Sequence, residues 1–176
     1  MSDFAFLHAV NFVIDRLEGG GILVVDSGGL TRWGISKKAN PDLDIESLTR
    51  DQAIEIYYSR YWIKYSIGLL PPPLSLQVFA QGVNAHPPTV IRFLQTILRV
   101  KMDGILGPKT AAAATNHPQP SELRAEFSEV TLRHYEELAR NKPFFYRYLH
   151  GWRMRVCKLA DEAGRWDGAG IGLKVD

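Results

Sequence analysis

Glu18 stands at the end of an amphipathic segment, directly before Gly19-Gly20-Gly21, with Asp26 eight residues on and Thr31 thirteen. Glycosidic hydrolysis needs a carboxylic acid to protonate the leaving oxygen. It also needs a second polar group to assist a water, or steady the sugar cation, on the other face. Glu18 can serve as the acid, with Asp26 and Thr31 on the opposite side. Each has a plainer reading: a solvated helix-end carboxylate, a turn-forming Asp before Ser-Gly-Gly, and an ordinary strand threonine.

The elements around them follow from spacing. Leu7, Val10, Ile14 and Leu17 recur at helical intervals over residues 3–18, with Ser2 as a possible cap and the glycines as the stop. Ile22-Leu23-Val24-Val25, the turn Ser27-Gly28-Gly29 and a returning Leu30–Ile35 segment predict a small β-hairpin straight after that helix. Thr49-Arg50-Asp51-Gln52 has the form of a capping box and opens an aromatic-rich helix through Tyr57, Tyr61 and Trp62. Leu70-Pro71-Pro72-Pro73-Leu74 is expected to be a rigid, non-helical connector. Beyond it, five further helical stretches are expected: 76–84, 87–98, a short one from Pro108, 121–141, and one from about Pro143. The fourth is expected to carry an apolar stripe through Leu123, Phe127, Val130 and Leu138, with His134 on the same face. Gly168 to Gly172 carries no core pattern. The sum is a mainly α protein with one short hairpin near its N-terminus.

Composition narrows the function classes. The 176 residues are 45% hydrophobic and 23% charged, the balance of an ordinary soluble globular chain. The single cysteine, Cys157, excludes an internal disulfide and reads as a buried thiol. Neither a basic leader with an apolar run nor a membrane-length apolar stretch is present, so synthesis in the cytoplasm without a signal peptide is expected. Residues 1–87 hold 7 basic and 9 acidic side chains, residues 88–176 hold 14 and 10, so the second half is the cationic one. Arg140 to Lys158 contains six cations and no acid. That face suits an anionic wall or nucleic-acid phosphate, or is simply solvated. The histidines show no metal-ligand spacing, and neither metal nor cofactor is expected.

Glu18-Gly19-Gly20 followed by Asp-x-Gly-Gly-x-Thr-x-x-Gly-Ile, here Asp26 to Ile35, resembles glycoside hydrolase family 108, a group of phage- and prophage-type lysozymes. Tyr57 with Tyr61-Trp62, Phe79 to Asn84, Phe93-Leu94-Gln95 with Val100 to Thr110, Arg133-His134-Tyr135 and Tyr148 to Val156 are similar to later segments of the same pattern. The resemblance implies a lysozyme-like helical fold and hydrolysis of the β-1,4 glycan of bacterial peptidoglycan as a muramidase. Glu18 falls on its catalytic glutamate, Asp26 and Thr31 on the Asp and Thr of its hairpin. Two departures stand out: Gly21 where the family usually has an aromatic, and Val24 or Val25 in the region of a further Asp.

Trp33, Tyr57 and Tyr61 can stack on sugar rings, although Tyr57, Tyr61 and Trp62 also have the spacing of core anchors. Gln81 and Asn84 are candidate sugar contacts, and Asn84 could equally cap a helix end. The chain divides into a catalytic part, 1–70, and a peptidoglycan-binding-like helical part, 71–176, packed as one unit. The expected protein is a monomer that acts on the wall after release, with holin assistance or an immunity protein as possible partners and no nucleic acid. A non-catalytic wall-binding module is the competing reading, and a nucleic-acid binder the third.

Overall fold

The computed structural model describes residues 4–26 and 29–166, with Asp26 by its backbone alone. Ser2 and the tail at 168–172 lie outside the described residues. Helix α1 (Phe4–Phe12) buries Phe6, Ala9 and Val10, and a wider π-helical turn, Val13–Leu17, buries Val13 and Ile14 on the way to Glu18. The buried row therefore passes through Phe6 rather than the expected Leu7, which is 39% exposed. Phe6 wins that place because its ring packs against Tyr58, Trp62 and Phe79, with centroids 4.8, 5.4 and 6.1 Å away.

Gly19, Gly20 and Gly21 all take positive φ, at 76°, 64° and 85°. Only glycine visits that region at little cost, so the run lets the chain reverse from helix into sheet within three residues. Three antiparallel strands follow in the order β1 (Val24–Asp26), β2 (Gly29–Arg32) and β3 (Ile35–Ser36). Val24 pairs with Thr31 and Asp26 with Gly29. The expected two-stranded hairpin thus gains a third strand. Trp33 (φ 55°) and Gly34 (φ 77°) break the 30–35 segment with a tight turn, and Thr31 pairs onward with Ser36.

The capping box at Thr49 is complete: its side chain accepts from the Gln52 amide, and the Thr49 N–H donates to Gln52 at 2.9 Å. It starts α2 (Arg50–Tyr57), which runs on as a π-helical stretch, Tyr58–Ile63. The proline run is not the non-helical connector expected from sequence. Helix α3 (Pro72–Ala85) begins inside it, because a first helical turn uses no N–H and tolerates the fixed φ of proline. From Leu74 to Gly82 every residue of α3 is buried, so it forms the central post.

A left-handed joint at His86 leads into α4 (Pro87–Ile97), followed by α5 (Pro108–Thr115), α6 (Pro120–Asn141) and α7 (Tyr146–Trp166). Buried Gln95 holds the α4–α5 loop: its amide donates to Asp103 Oδ1 (2.9 Å) and the Ile105 carbonyl (3.0 Å), and its oxygen accepts from the Gly104 N–H (2.8 Å). Each such group left without a partner in the core would cost about 1–3 kcal/mol. On α6 the buried row runs through Leu123, Phe127, Thr131, Tyr135 and Ala139, one position round from the expected stripe. Tyr135 sets that rotation, since its hydroxyl bonds to Gln81 and Asn84 on α3. Helix α7 packs along both α3 and α6, and its end returns to the first helix, where Trp166 meets Phe4 and His8.

Candidate active site

The end of α1 places Glu18 where its N–H still closes the helix, on the Val13 carbonyl at 2.9 Å, while its side chain leaves toward the β2–β3 turn. There it meets Gly34. A Cβ added at Gly34 would lie 2.6 Å from Glu18 Cγ and 2.5 Å from the Tyr57 hydroxyl. Glycine is therefore required twice at that position, for its φ of 77° and for the space. The Tyr57 hydroxyl donates to the Trp33 carbonyl at 2.9 Å, which ties α2 to the same turn. Burial raises the Tyr57 pKa well above 10.0, and the Glu18 charge adds to the shift, so this donor keeps its proton.

The other side of Glu18 is made by the far end of the chain. Arg155 on α7 donates from Nη1 to Glu18 Oε1 at 2.8 Å and from Nη2 to the Ala80 carbonyl at 2.8 Å. The Arg155 side chain is 9% exposed and that of Glu18 21%. A buried arginine bonded to both α3 and the carboxylate fixes where that carboxylate sits, through a charge-assisted hydrogen bond. A cleft of about 430 Å³ opens from Glu18 between the π-helical turn and α7.

The sequence candidates separate in space. Thr31 lies on β2 with its Oγ1 buried and without a hydrogen-bond partner. The β1–β2 register puts Asp26 and Thr31 on one face of the sheet, two positions apart, while the Asp26 side chain lies outside the described residues. Trp33 is half-buried, and its indole N–H donates to the Leu48 carbonyl at 2.9 Å. Its six-membered ring fills the space above Gly21, where a Cβ would come within 2.3 Å. That contact, with the φ of 85°, leaves no room for a side chain at position 21.

Tyr57 and Trp62, each 1% exposed, are core anchors, and Tyr57 has no ring face open to a sugar. Tyr61 is half-buried and lines a second cleft of about 430 Å³ with Arg60, Lys64, Tyr65 and His86. Gln81 is 2% exposed and accepts from the Tyr135 hydroxyl at 3.0 Å, which makes it a brace between α3 and α6. Asn84 donates to the same hydroxyl at 2.7 Å and borders the cleft beside Glu18, rather than capping α3.

Arg155 was hidden within an acid-free run of residues. The signal lay in its place on the apolar face of α7, three residues after Trp152 and four before Leu159, where an arginine needs a buried partner. Gly34 showed itself only as one letter of a motif. Among the described residues no group of three or more His, Cys, Asp or Glu converges to hold a metal. None of the described helices is long and apolar enough to cross a membrane.

Residues 12–85 match the family model described as glycosyl hydrolase 108, and residues 89–157 match one described as a predicted peptidoglycan domain. Among solved structures, that of Brucella abortus SagA is similar, with 24% identity and a TM-score of 0.75 over 90% of this chain and 92% of that one. The fold is thus the mainly α, lysozyme-like one. No curated protein matches the chain.

Proposed function

With residues 12–85 belonging to the glycosyl hydrolase 108 family and residues 89–157 forming a peptidoglycan domain, the chain is a lysozyme-type peptidoglycan hydrolase, and we propose that Glu18 is its general acid. The single observation that carries this reading is the setting of Glu18. A partly exposed carboxylate lines a cleft, where it is held by Arg155 of the same wall and, on its other side, by Gly34 and Tyr57.

The reaction is muramidase cleavage of the β-1,4 bond. Glu18, which takes up a proton from solvent before each turnover, gives it to the glycosidic oxygen as the bond from that oxygen to the sugar C1 breaks, and C1 develops oxocarbenium character. A water adds to C1 from the face of the sheet. Asp26, with Thr31 beside it on the same face of the sheet, places that water and takes its proton. Trp33, Tyr61 and Asn84 contact the sugars; Tyr57 and Gln81 support them from the core.

The parts 1–70 and 71–176 act as one unit. What supports this is the Arg155–Glu18 pair and the packing of α3 against both α1 and α7. The protein is a monomer made in the cytoplasm that reaches the wall after release, through a holin or as a toxin matched by an immunity protein.

Glu18→Gln keeps the shape of the side chain and its acceptor for Arg155, so the variant should fold and melt cooperatively. It should fail to clear cell-wall suspensions or release reducing ends. Clearing at the normal rate would overturn the assignment of Glu18. Binding to insoluble walls by the unmodified protein, with no ends released, would instead favour the wall-binding module.

A further inference from the structure

The cleft beside Glu18 is cationic beyond what the acid requires. Arg16, Arg147, Arg155 and Lys158 all line it, and among the described residues Glu18 is the one carboxylate in its wall. Arg155 is committed to Glu18, but no carboxylate among the described residues pairs with Arg16, Arg147 or Lys158. Arg147 is nonetheless held in place. Its guanidinium stacks on the Phe144 ring at 3.8 Å, and its Nε donates to the Phe144 carbonyl at 3.2 Å. Lys158 Nζ donates to the Arg16 carbonyl at 3.3 Å, which ties α7 across the cleft to the turn that carries Glu18.

Gly151 supplies a second, independent observation. It sits in the second turn of α7, inside the helix, where glycine weakens it, and a Cβ there would meet nothing within 4 Å. Neither left-handed φ nor close protein packing calls for glycine at this position. It lines the cleft four residues from Arg147 and four from Arg155, and leaves open the space that a side chain there would take.

Resting on the muramidase reading above, we propose that this cleft is a subsite for the peptide stem of the wall glycan and binds the stem's free carboxylates through Arg147, Lys158 and Arg16. The glycan backbone itself is neutral. Its anionic groups are carried by the peptide that hangs from the muramic acid lactyl group, on the very sugar whose glycosidic bond lies at Glu18. Convergent cations in a partly enclosed cleft attract such carboxylates more strongly than isolated surface charges do. Tyr148 and Trp152, whose rings lie 5.9 Å apart, give the peptide an apolar wall. The enzyme would then recognise peptide-bearing strands with unmodified carboxylates and discriminate against bare or amidated ones.

The test is calorimetric binding to the full-length Glu18→Gln protein, with three soluble ligands: a disaccharide-peptide, the same compound with its carboxylates amidated, and the peptide-free disaccharide. The free-carboxylate ligand should bind at least about tenfold tighter than either of the others. The double variant Arg147→Gln/Lys158→Gln should lose that preference, and Gly151→Leu should weaken the peptide ligand by filling that space. Each variant is first checked for a cooperative melt; a misfolded Gly151→Leu leaves the charge variant to decide. Equal affinity for all three ligands, or an undiminished preference in the double variant, would overturn the subsite. Hydrolysis by Glu18→Gln would instead refute the catalytic assignment and leave the binding comparison standing.

Discussion

Arg155 Nη1 lies 2.8 Å from Glu18 Oε1, a contact between residues 137 apart in the chain. The residue proposed as the general acid is therefore positioned from the opposite end of the sequence. The same guanidinium also holds the Ala80 carbonyl, so the last helix, the central helix and the end of the first meet at one side chain.

Arg155→Lys keeps the charge but not the fork. One ammonium cannot reproduce both directed bonds, and a buried partner left unmade costs about 1–3 kcal/mol. Urea unfolding should show a loss of that size. Wall clearing should fall by about 10- to 100-fold as the carboxyl loses its fixed position. Full activity in the lysine variant would mean that charge alone suffices.

Gly34→Ala puts a methyl into space held by Glu18 Cγ and the Tyr57 hydroxyl, at a φ of 77°. The backbone strain by itself is worth about 1–2 kcal/mol, and the clash adds to it. The melt should move down, and hydrolysis per folded molecule should drop, because relief of the clash displaces the acid. A variant that loses stability yet hydrolyses normally would show that Glu18 can be placed without this contact.

Thr31→Val separates chemistry from structure. The Oγ1 of Thr31 is buried and makes no hydrogen bond, so the isosteric change removes an unsatisfied group and should leave stability unchanged or slightly improved. Hydrolysis should fall by about tenfold or more if that hydroxyl orients the water. Unimpaired hydrolysis would remove Thr31 from the mechanism.

His134 should make the fold acid-sensitive in a specific window. Burial pushes its pKa below 6.5, and nearby Glu137 opposes the shift only in part; the rings of Phe93 and Tyr135 face the imidazole at 4.9 and 5.9 Å. The unfolded chain then holds the proton more tightly. Its stabilisation is complete above about pH 6.5 and is lost as pH falls through the folded-state value. NMR titration of His134, with thermal melts from neutral to mildly acidic pH, should show both effects. His134→Gln should flatten this part of the stability profile. An imidazole titrating at or above 6.5 would contradict the sign.

Local chemistry made much of this readable beforehand. Thr49 and Gln52 form the reciprocal cap that their spacing indicated, because a capping box is closed by residues three apart. Glu18 before three glycines stops a helix whatever lies around it. Where the reading slipped, a distant partner decided. The α6 stripe turned one position so that the Tyr135 hydroxyl could reach Gln81 and Asn84, and the first helix turned toward Phe6 because Trp62 and Phe79 wait there. Pro72 and Pro73 entered a helix because α3 needed a start, and its first turn suits proline.

The chain read alone yields its helices and its hairpin, though not the helical start at Pro72 or the third strand, together with the order of the family motifs and the helix-end glutamate. Those depend on periodicity, caps, turns and residue type within a few positions. Folding in three dimensions decides that Arg155 leaves the cationic stretch to hold Glu18, that Trp33 closes over Gly21, and that Gln81 is a brace. Each of those is a contact between segments far apart in sequence, fixed by which buried polar group finds its partner once α7 has closed over α3.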